Sequence, residues 1–276
     1  MPELPEVEHV VRALRPVIVG KRILAAELKL KRIAPGISRT RFNNQLKDSR
    51  VTAVGRRGKY ILFELESGQL LSTHLRMTGK FVALPNQDKL PPYAHVIFYL
   101  DDEKRLVFCD MRQFGRMRII KSSNHFPKEL LALAPEPFSD DFTEEYFIET
   151  LARSRRTLKT LLLDQTRVLG LGNIYAVEAL FLARIHPLKQ AHTLSKARAR
   201  KLYQAIRTVL QEAIDAGSTL RIDLSDGESS YIGSSERFWR VYEREGEHCV
   251  NCGTTIRRIA HAGRSTYFCP KCQRRE

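Results

Sequence analysis

Four cysteines, Cys249, Cys252, Cys269 and Cys272, form the pattern C-x2-C-x16-C-x2-C, and no other feature restricts the fold of this chain so tightly. Each C-x2-C pair can bite one ion through a tight turn, and two pairs complete a tetrahedron of thiolates. Four protein sulfurs leave no open coordination position, so the pattern predicts one structural Zn2+ rather than a catalytic metal. The intervening length suits a β-hairpin joining the two knuckles. Two disulfides are the alternative, and they suit small secreted proteins. This chain starts without a charged-then-apolar signal segment and lacks an apolar run of about 18 residues, so a cytoplasmic protein without a membrane span is expected. The fifth cysteine, Cys109, lies in the apolar run Leu106-Val107-Phe108-Cys109 and reads as a small buried hydrophobe.

Charge narrows the partner. Lys and Arg number 46 against 31 Asp and Glu, a formal net charge of +15, and the pI is about 9.8. Such a surface suits a polyanion, whose phosphates give salt-dependent affinity through counterion release. Binding to a membrane surface would need a basic amphipathic helix or a lipidation signal, and neither is evident.

The chain begins Met1-Pro2-Glu3-Leu4-Pro5-Glu6-Val7-Glu8. Removal of Met1 would leave Pro2 with a secondary amine as its α-amino group, and such groups titrate near 7.7 to 8.0, roughly, well below lysine. An amine of this kind forms iminium intermediates with aldehydes and masked aldehydes, with a carboxylate such as Glu3 moving the protons. A plainer reading is that Pro2 and Pro5 only start a helix: Val7, Val10, Val11 and Leu14 fall at helical spacing, and Glu6 and Glu8 sit in the first turn. The two readings are compatible.

Beyond that helix, short strands read out at Lys59–Leu65, Gln69–Leu75, Ala94–Leu100, Arg105–Cys109 and Met117–Lys121. No long helical crossover separates them, which favours an antiparallel sandwich or barrel. Leu133 to Asp141 reads as a linker, after which the periodicity changes to helices at Thr143–Ala152, Thr157–Gln165, Asn173–Ile185 and Ser195–Ala216. Within Leu169-Gly170-Leu171-Gly172-Asn173, the glycines permit close backbone approach and Asn173 can cap the helix that follows, either as a plain turn or as a phosphate grip. Residues 217–235, rich in Gly, Ser and Asp, read as a loop.

These pieces occur in a telling order. The N-terminal octapeptide is followed by Gly58-Lys59-Tyr60, His74-Leu75-Arg76-Met77-Thr78-Gly79, Asp110-Met111-Arg112-Gln113-Phe114-Gly115, Leu163-Asp164-Gln165, Gly172-Asn173-Ile174-Tyr175-Ala176 and the cysteine module. Over nearly its whole length the chain resembles bacterial formamidopyrimidine-DNA glycosylases, repair enzymes for 8-oxoguanine and ring-opened purines. The resemblance implies an α+β protein: an antiparallel β-sandwich with flanking helices over 1–130, a linker over 131–142, a helix-two-turn-helix domain with a damaged-base loop over 143–235, and a β-hairpin zinc finger over 236–276. It implies a monomer with no small-molecule cofactor, acting on double-stranded DNA that contains oxidised purines and lies between the domains.

By the same resemblance, Pro2 is the nucleophile, Glu3 the general acid and base, and Glu6 an auxiliary acid. Lys59 and Arg264, the latter in His261-Ala262-Gly263-Arg264-Ser265-Thr266, assist elimination, although each is also an ordinary candidate for phosphate contact. Met77, Arg112 and Phe114 fill the void left by a flipped base, roles that suit a pliable plug, a multi-donor cation and an aromatic wedge. Without the resemblance, Met77 and Phe114 would read as core residues. Asn173 and a member of Arg153-Ser154-Arg155-Arg156, with Arg155 the choice, would bind the DNA backbone.

The chain departs from the family pattern in places. Tyr93 stands where a DNA-contacting His is frequent and cannot become cationic near neutrality. Ala216 precedes Gly217 where paired glycines are common, and Glu243 follows Tyr242 where glycine is usual. The related endonuclease-VIII-like glycosylases of oxidised pyrimidines usually begin Pro-Glu-Gly-Pro, so Leu4 and Arg112-Gln113-Phe114 favour the purine branch. A noncatalytic zinc-dependent DNA-binding protein would explain charge and cysteines but not Pro2-Glu3.

Overall fold

The structure is a computed structural model that describes residues 1–216 and 239–275; the loop expected over 217–235 lies outside them. Two compact units are present, Met1–Leu131 and a second that begins at Ala132, continues to Asp215 and takes in the described residues 239–275.

The first unit opens with α1 (Leu4–Ile18), which buries Val7, Val10, Val11, Leu14 and Ile18 along one stripe. Then follow β1 (Arg22–Leu28), α2 (Arg39–Leu46), β2 (Ser49–Arg57), β3 (Tyr60–Leu65), β4 (Leu70–His74), β5 (Gly79–Pro85), β6 (Ala94–Leu100), β7 (Lys104–Asp110), β8 (Arg116–Ile120) and the short α3 (Lys128–Leu131). Every strand pairing is antiparallel, in the order β5-β7-β6-β1-β2-β3-β4-β8. The β1–β2 pairing consists of Arg22 with Arg50 and Ile23 with Ser49. At this thin seam the sheet folds over, and its two halves share one core, in which Phe81, Val96, Phe98 and Phe108 meet Val54, Ile61, Phe63 and Met117. Phe63 and Phe81 meet edge to face at 5.6 Å, and Phe81 and Phe108 at 5.3 Å. The expected β-sandwich is thus present.

Helix α1 is fastened to β2 by Glu8 and Arg56, 3.0 Å apart, and by the Arg15 Nε–H donating to the Val54 carbonyl at 3.0 Å. Burial pushes the Glu8 carboxyl up, but the guanidiniums of Arg56 and Arg12 outweigh it and hold the group below its ordinary value. Cys109 packs among Val82, Leu84, Ile97 and Val107 on the outer face of β7. Burial raises its thiol to about 11, so the reading as an inert hydrophobe stands.

The second unit contains α4 (Glu144–Ala152), α5 (Leu158–Leu162), α6 (Asn173–Leu182), α7 (Lys196–Ala216) and the hairpin β9 (Arg257–His261) with β10 (Arg264–Phe268). The helix expected over Thr157–Gln165 stops at Leu162. There the Asp164 carboxylate accepts from the Thr166 N–H at 3.0 Å and hydroxyl at 2.8 Å, a side-chain turn that competes with the helix. Gln165 then bridges the connection to α6, donating to the Leu171 carbonyl at 2.9 Å and accepting from the Gly170 N–H at 3.0 Å. Helix α7 buries Leu202, Ile206, Val209, Ala213 and Ile214, the face read from its periodicity. Among the described residues no helix is long and apolar enough to cross a membrane.

Phe81→Ala removes the middle ring of the Phe63-Phe81-Phe108 row. It is expected to lower the unfolding free energy by about 3–5 kcal/mol in urea denaturation of the zinc-loaded protein.

Candidate active site and metal centre

The N-terminal residues are held by a reciprocal capping box. The Glu6 carboxylate accepts from the Glu3 N–H at 2.8 Å, and the Glu3 side chain accepts from the Glu6 N–H. Pro2 and Glu3 are buried while Met1 is 41 % exposed. While Met1 is attached, the Pro2 nitrogen is an amide without a basic lone pair; its removal creates a secondary amine beside two carboxyl groups.

Lys59 occupies the tight turn between β2 and β3 and is buried, with Gly58 at φ 55 supplying the left-handed backbone. Near it lies His74, a residue of the His74-Leu75-Arg76-Met77 motif to which the sequence assigns no role. Its Nδ1 accepts from the Arg76 N–H at 3.0 Å, so the neutral ring carries its proton on Nε2. Burial, reinforced by the charges of Arg76 and Lys59, lowers His74 to about 3. The ring therefore stays neutral across the physiological range, a state that residue type alone does not reveal.

Met77 sits in the turn between β4 and β5, and Arg112 and Phe114 in the loop between β7 and β8. Met77 and Phe114 are each 39 % exposed, contrary to the core reading of their types. The Arg112 guanidinium lies over the Phe114 ring, 4.9 Å from its centre. Tyr93 is exposed just before β6 with φ 59, and its carbonyl accepts from the Asp110 N–H at 3.1 Å.

In the second unit Arg264 is exposed at the first position of β10, following a two-residue turn in which Ala262 and Gly263 have φ 50 and 71. Asn173 is the first helical residue of α6, and Gly172 holds the cap position. The expectation that Asn173 caps this helix is thus corrected: its side-chain N–H donates across to the Ser265 carbonyl at 3.1 Å, beside Arg264. Asn173 Oδ1 is buried with no hydrogen-bond partner among the described residues. The same carbonyl accepts from Lys159 Nζ at 2.9 Å, and the Thr266 hydroxyl accepts from it at 2.5 Å. Burial, together with repulsion from Arg264, lowers the Lys159 ammonium to about 8. Lys159 went unassigned; its one signal is a lysine set among Leu158, Leu161 and Leu162.

Within the basic stretch, Arg153 pairs with Glu149 at 3.0 Å and Arg156 with Asp164 at 2.7 Å. Arg155 is exposed and makes no ion pair among the described residues.

The sulfurs of Cys249, Cys252, Cys269 and Cys272 all lie within 4.8 Å of one another. A tetrahedral zinc with Zn–S of about 2.3 Å sets its sulfurs about 3.8 Å apart, so the four thiolates fit one structural Zn2+. Gln273 anchors this centre by accepting from the Cys269 N–H at 2.9 Å and donating to the Ile185 carbonyl at 2.8 Å. Glu178 of α6, also missed, is buried and accepts the backbone N–H groups of Arg240, Val241 and Tyr242 at 3.0, 2.8 and 3.0 Å. Glu243 next to it has φ 58, which explains the glycine usual at that position.

An antiparallel sandwich, a helical unit and a four-thiolate hairpin define a zinc-finger protein of DNA-glycosylase architecture. Residues 1–117 match the formamidopyrimidine-DNA glycosylase N-terminal domain, 133–223 its H2TH domain, and 246–275 the zinc finger found in FPG and IleRS. The formamidopyrimidine-DNA glycosylase of Heliobacterium modesticaldum is 44% identical over 99% of this chain and 100% of its own length. That of Bacillus subtilis is 42% identical over 99% of each. A crystal structure of the Lactococcus lactis enzyme, non-covalently bound to DNA containing an abasic site, superposes with a TM-score of 0.88 at 35% identity over 99% of this chain and 100% of that one. A MutM structure in complex with DNA containing carbocyclic 8-oxo-G gives 0.89 at 36% identity, with the same coverage. The chain belongs to the formamidopyrimidine-DNA glycosylase family, a family of DNA-repair glycosylases.

Two outcomes are expected. Folded His74 titrates far below its ordinary 6.5, so below that pH the unfolded chain takes up a proton that the folded chain refuses, and stability falls as pH drops. His74→Gln should therefore lose less stability than wild type between about pH 7 and pH 5, by on the order of 2 kcal/mol in urea titrations. Chelating the zinc, or replacing Cys269 by Ser, should speed amide hydrogen exchange across Arg264–Phe268 and weaken duplex binding, measured together on one preparation.

Proposed function

We propose that the chain is a bifunctional glycosylase and abasic-site lyase that flips out and excises oxidised purines from duplex DNA, working as a cytoplasmic monomer. With Met1 removed, the Pro2 nitrogen attacks C1′ of the damaged nucleoside. The base leaves with a proton supplied by Glu3, and the opened sugar remains as an iminium on Pro2. The iminium acidifies the C2′ proton; its removal expels the 3′ phosphate, and a second elimination expels the 5′ phosphate. Glu6 holds the Glu3 backbone through the capping box and serves as the auxiliary acid. Lys59 and Arg264 neutralise phosphate charge during these eliminations, and the zinc takes no part in them.

Base extrusion costs a few kcal/mol, roughly, and leaves a hole. Met77 and Phe114 fill it as apolar wedges, and Arg112 faces the orphaned base with its donors. Asn173, Arg155 and Tyr93 hold the backbone near the lesion. Arg155 is the choice in its cluster because the neighbouring arginines are engaged with Asp and Glu. The observation that carries this reading is the buried Pro2 directly ahead of the Glu3/Glu6 capping box, in a chain so similar to named formamidopyrimidine-DNA glycosylases.

Incubation with an 8-oxoguanine·cytosine duplex and borohydride is expected to yield a cross-link that mass spectrometry maps to Pro2. A protein with free Pro2 that neither cross-links nor cleaves this duplex refutes the assignment, and oxidised pyrimidines become the next substrates to test.

A further inference from the structure

Asp110, the last residue of β7, is completely buried. A carboxylate so placed is tolerable only when its oxygens are satisfied by hydrogen bonds. Its Oδ2 accepts from the Gly115 N–H at 2.7 Å. Its Oδ1 accepts the Thr78 hydroxyl in a short contact and the Arg112 N–H at 3.3 Å. That same Arg112 N–H lies 3.0 Å from the Thr78 hydroxyl oxygen, so the two acceptors share it. The Asp110 carbonyl accepts from the Gln113 N–H at 3.2 Å and pairs with His95 Nε2 at 2.9 Å.

The consequence lies in what these atoms connect. Thr78 directly follows Met77, while Arg112 and Phe114 flank Gln113, whose φ is 57. One carboxylate and one hydroxyl therefore lock the turn that carries Met77 to the loop that carries Arg112 and Phe114. The loop has no slack: a Cβ added at Gly115 would meet Phe108 Cζ at 2.6 Å and Asp110 Oδ2 at 3.0 Å, and one added at Gly79 would meet the Leu75 carbonyl oxygen at 2.5 Å. Met77 and Phe114 are thereby presented as exposed apolar groups on a fixed backbone.

We propose that Thr78 and Asp110 are positioning residues that preset the three void-filling side chains before DNA arrives, an inference that rests on the functional reading above. Presetting removes an ordering cost that would otherwise fall on the step in which the base leaves the stack. It therefore counts most where a base must be extruded and least where the base is already missing.

The test compares an 8-oxoguanine·cytosine duplex with the same duplex carrying a preformed abasic site. Thr78→Val keeps the side-chain shape and deletes the hydroxyl. It should lower kcat/KM for excision by about tenfold while changing abasic-site cleavage by less than about twofold, and Thr78→Ser should restore excision. Discrimination between cytosine and adenine opposite the lesion should fall with it, since the Arg112 backbone is no longer fixed. Excision at the wild-type rate by Thr78→Val, or equal losses on both substrates, overturns the proposal. Amide hydrogen exchange of the free proteins supplies an independent reading: Arg112 and Gly115 should exchange faster in Thr78→Val and faster still in Asp110→Ala, and unchanged protection in both overturns it. A wild-type protein inactive on both duplexes would instead refute the functional reading, and the exchange data would still judge the lock.

Discussion

The halves of the N-terminal sheet are joined by a short ladder, in which Arg22 pairs with Arg50 and Ile23 with Ser49, extended by backbone hydrogen bonds of Gly20 and Lys21 with Val51 and of Asp48 with Ile23. So short a ladder cannot by itself fix the angle between them. The angle is set by side chains, with Phe63 of one half driven against Phe81 of the other and Phe108 behind it. Three connections cross from half to half: the segment from β1 to β2 that carries α2, the turn from β4 to β5 and the loop from β7 to β8. The last two carry Met77, Arg112 and Phe114. The position of these three side chains is therefore tied to core packing below them, and Asp110 fastens the two crossings to each other.

How much of this was legible in the sequence depends on what each segment spends its residues on. Ala94–Leu100 is a strand in both readings because Val96-Ile97-Phe98-Tyr99-Leu100 is an unbroken run of β-branched, aromatic and aliphatic residues. Strands β1, β2 and β5 and helix α2 escaped notice: β2 reads Ser-Arg-Val-Thr-Ala-Val-Gly-Arg-Arg, with a bulge near Val51 that breaks the alternation, and α2 buries only Phe42 and Leu46. The cysteine centre was fully legible because metal geometry dictates spacing. Exposure of Met77 and Phe114 was not, since an apolar side chain in a turn looks the same whether it faces the core or water. Asn173 was misread for a related reason. Its type favours caps, but a carbonyl from β10, distant in sequence, took its amide.

The residues that went unassigned share a pattern. Lys159, Glu178 and Asp110 are buried ionisable groups, and each makes at least one hydrogen bond to the backbone of a segment that bears a candidate site residue or leads to the metal centre. Lys159 grips the strand behind Arg264, Glu178 grips the approach to the metal module, and Asp110 grips the Arg112 loop. Buried charges of this kind are costly unless fully partnered, and they define one backbone geometry when they are. The arrangement leaves Arg112 and Arg264 exposed and places the groups that fix their backbones out of solvent.

The capping box at Glu3 and Glu6 has a practical corollary for anyone who prepares the protein. The box satisfies the Glu3 and Glu6 N–H groups with side chains from Glu3 onward, so neither bond depends on the residue before Pro2. The box is present with Met1 attached, so an N-terminal extension leaves it in place. The proline nitrogen that the proposed mechanism uses, however, would be tied up in a planar amide with no basic lone pair to offer. Structural quality and chemical competence are recorded in different atoms here, and the mass of the N-terminal peptide reports the second.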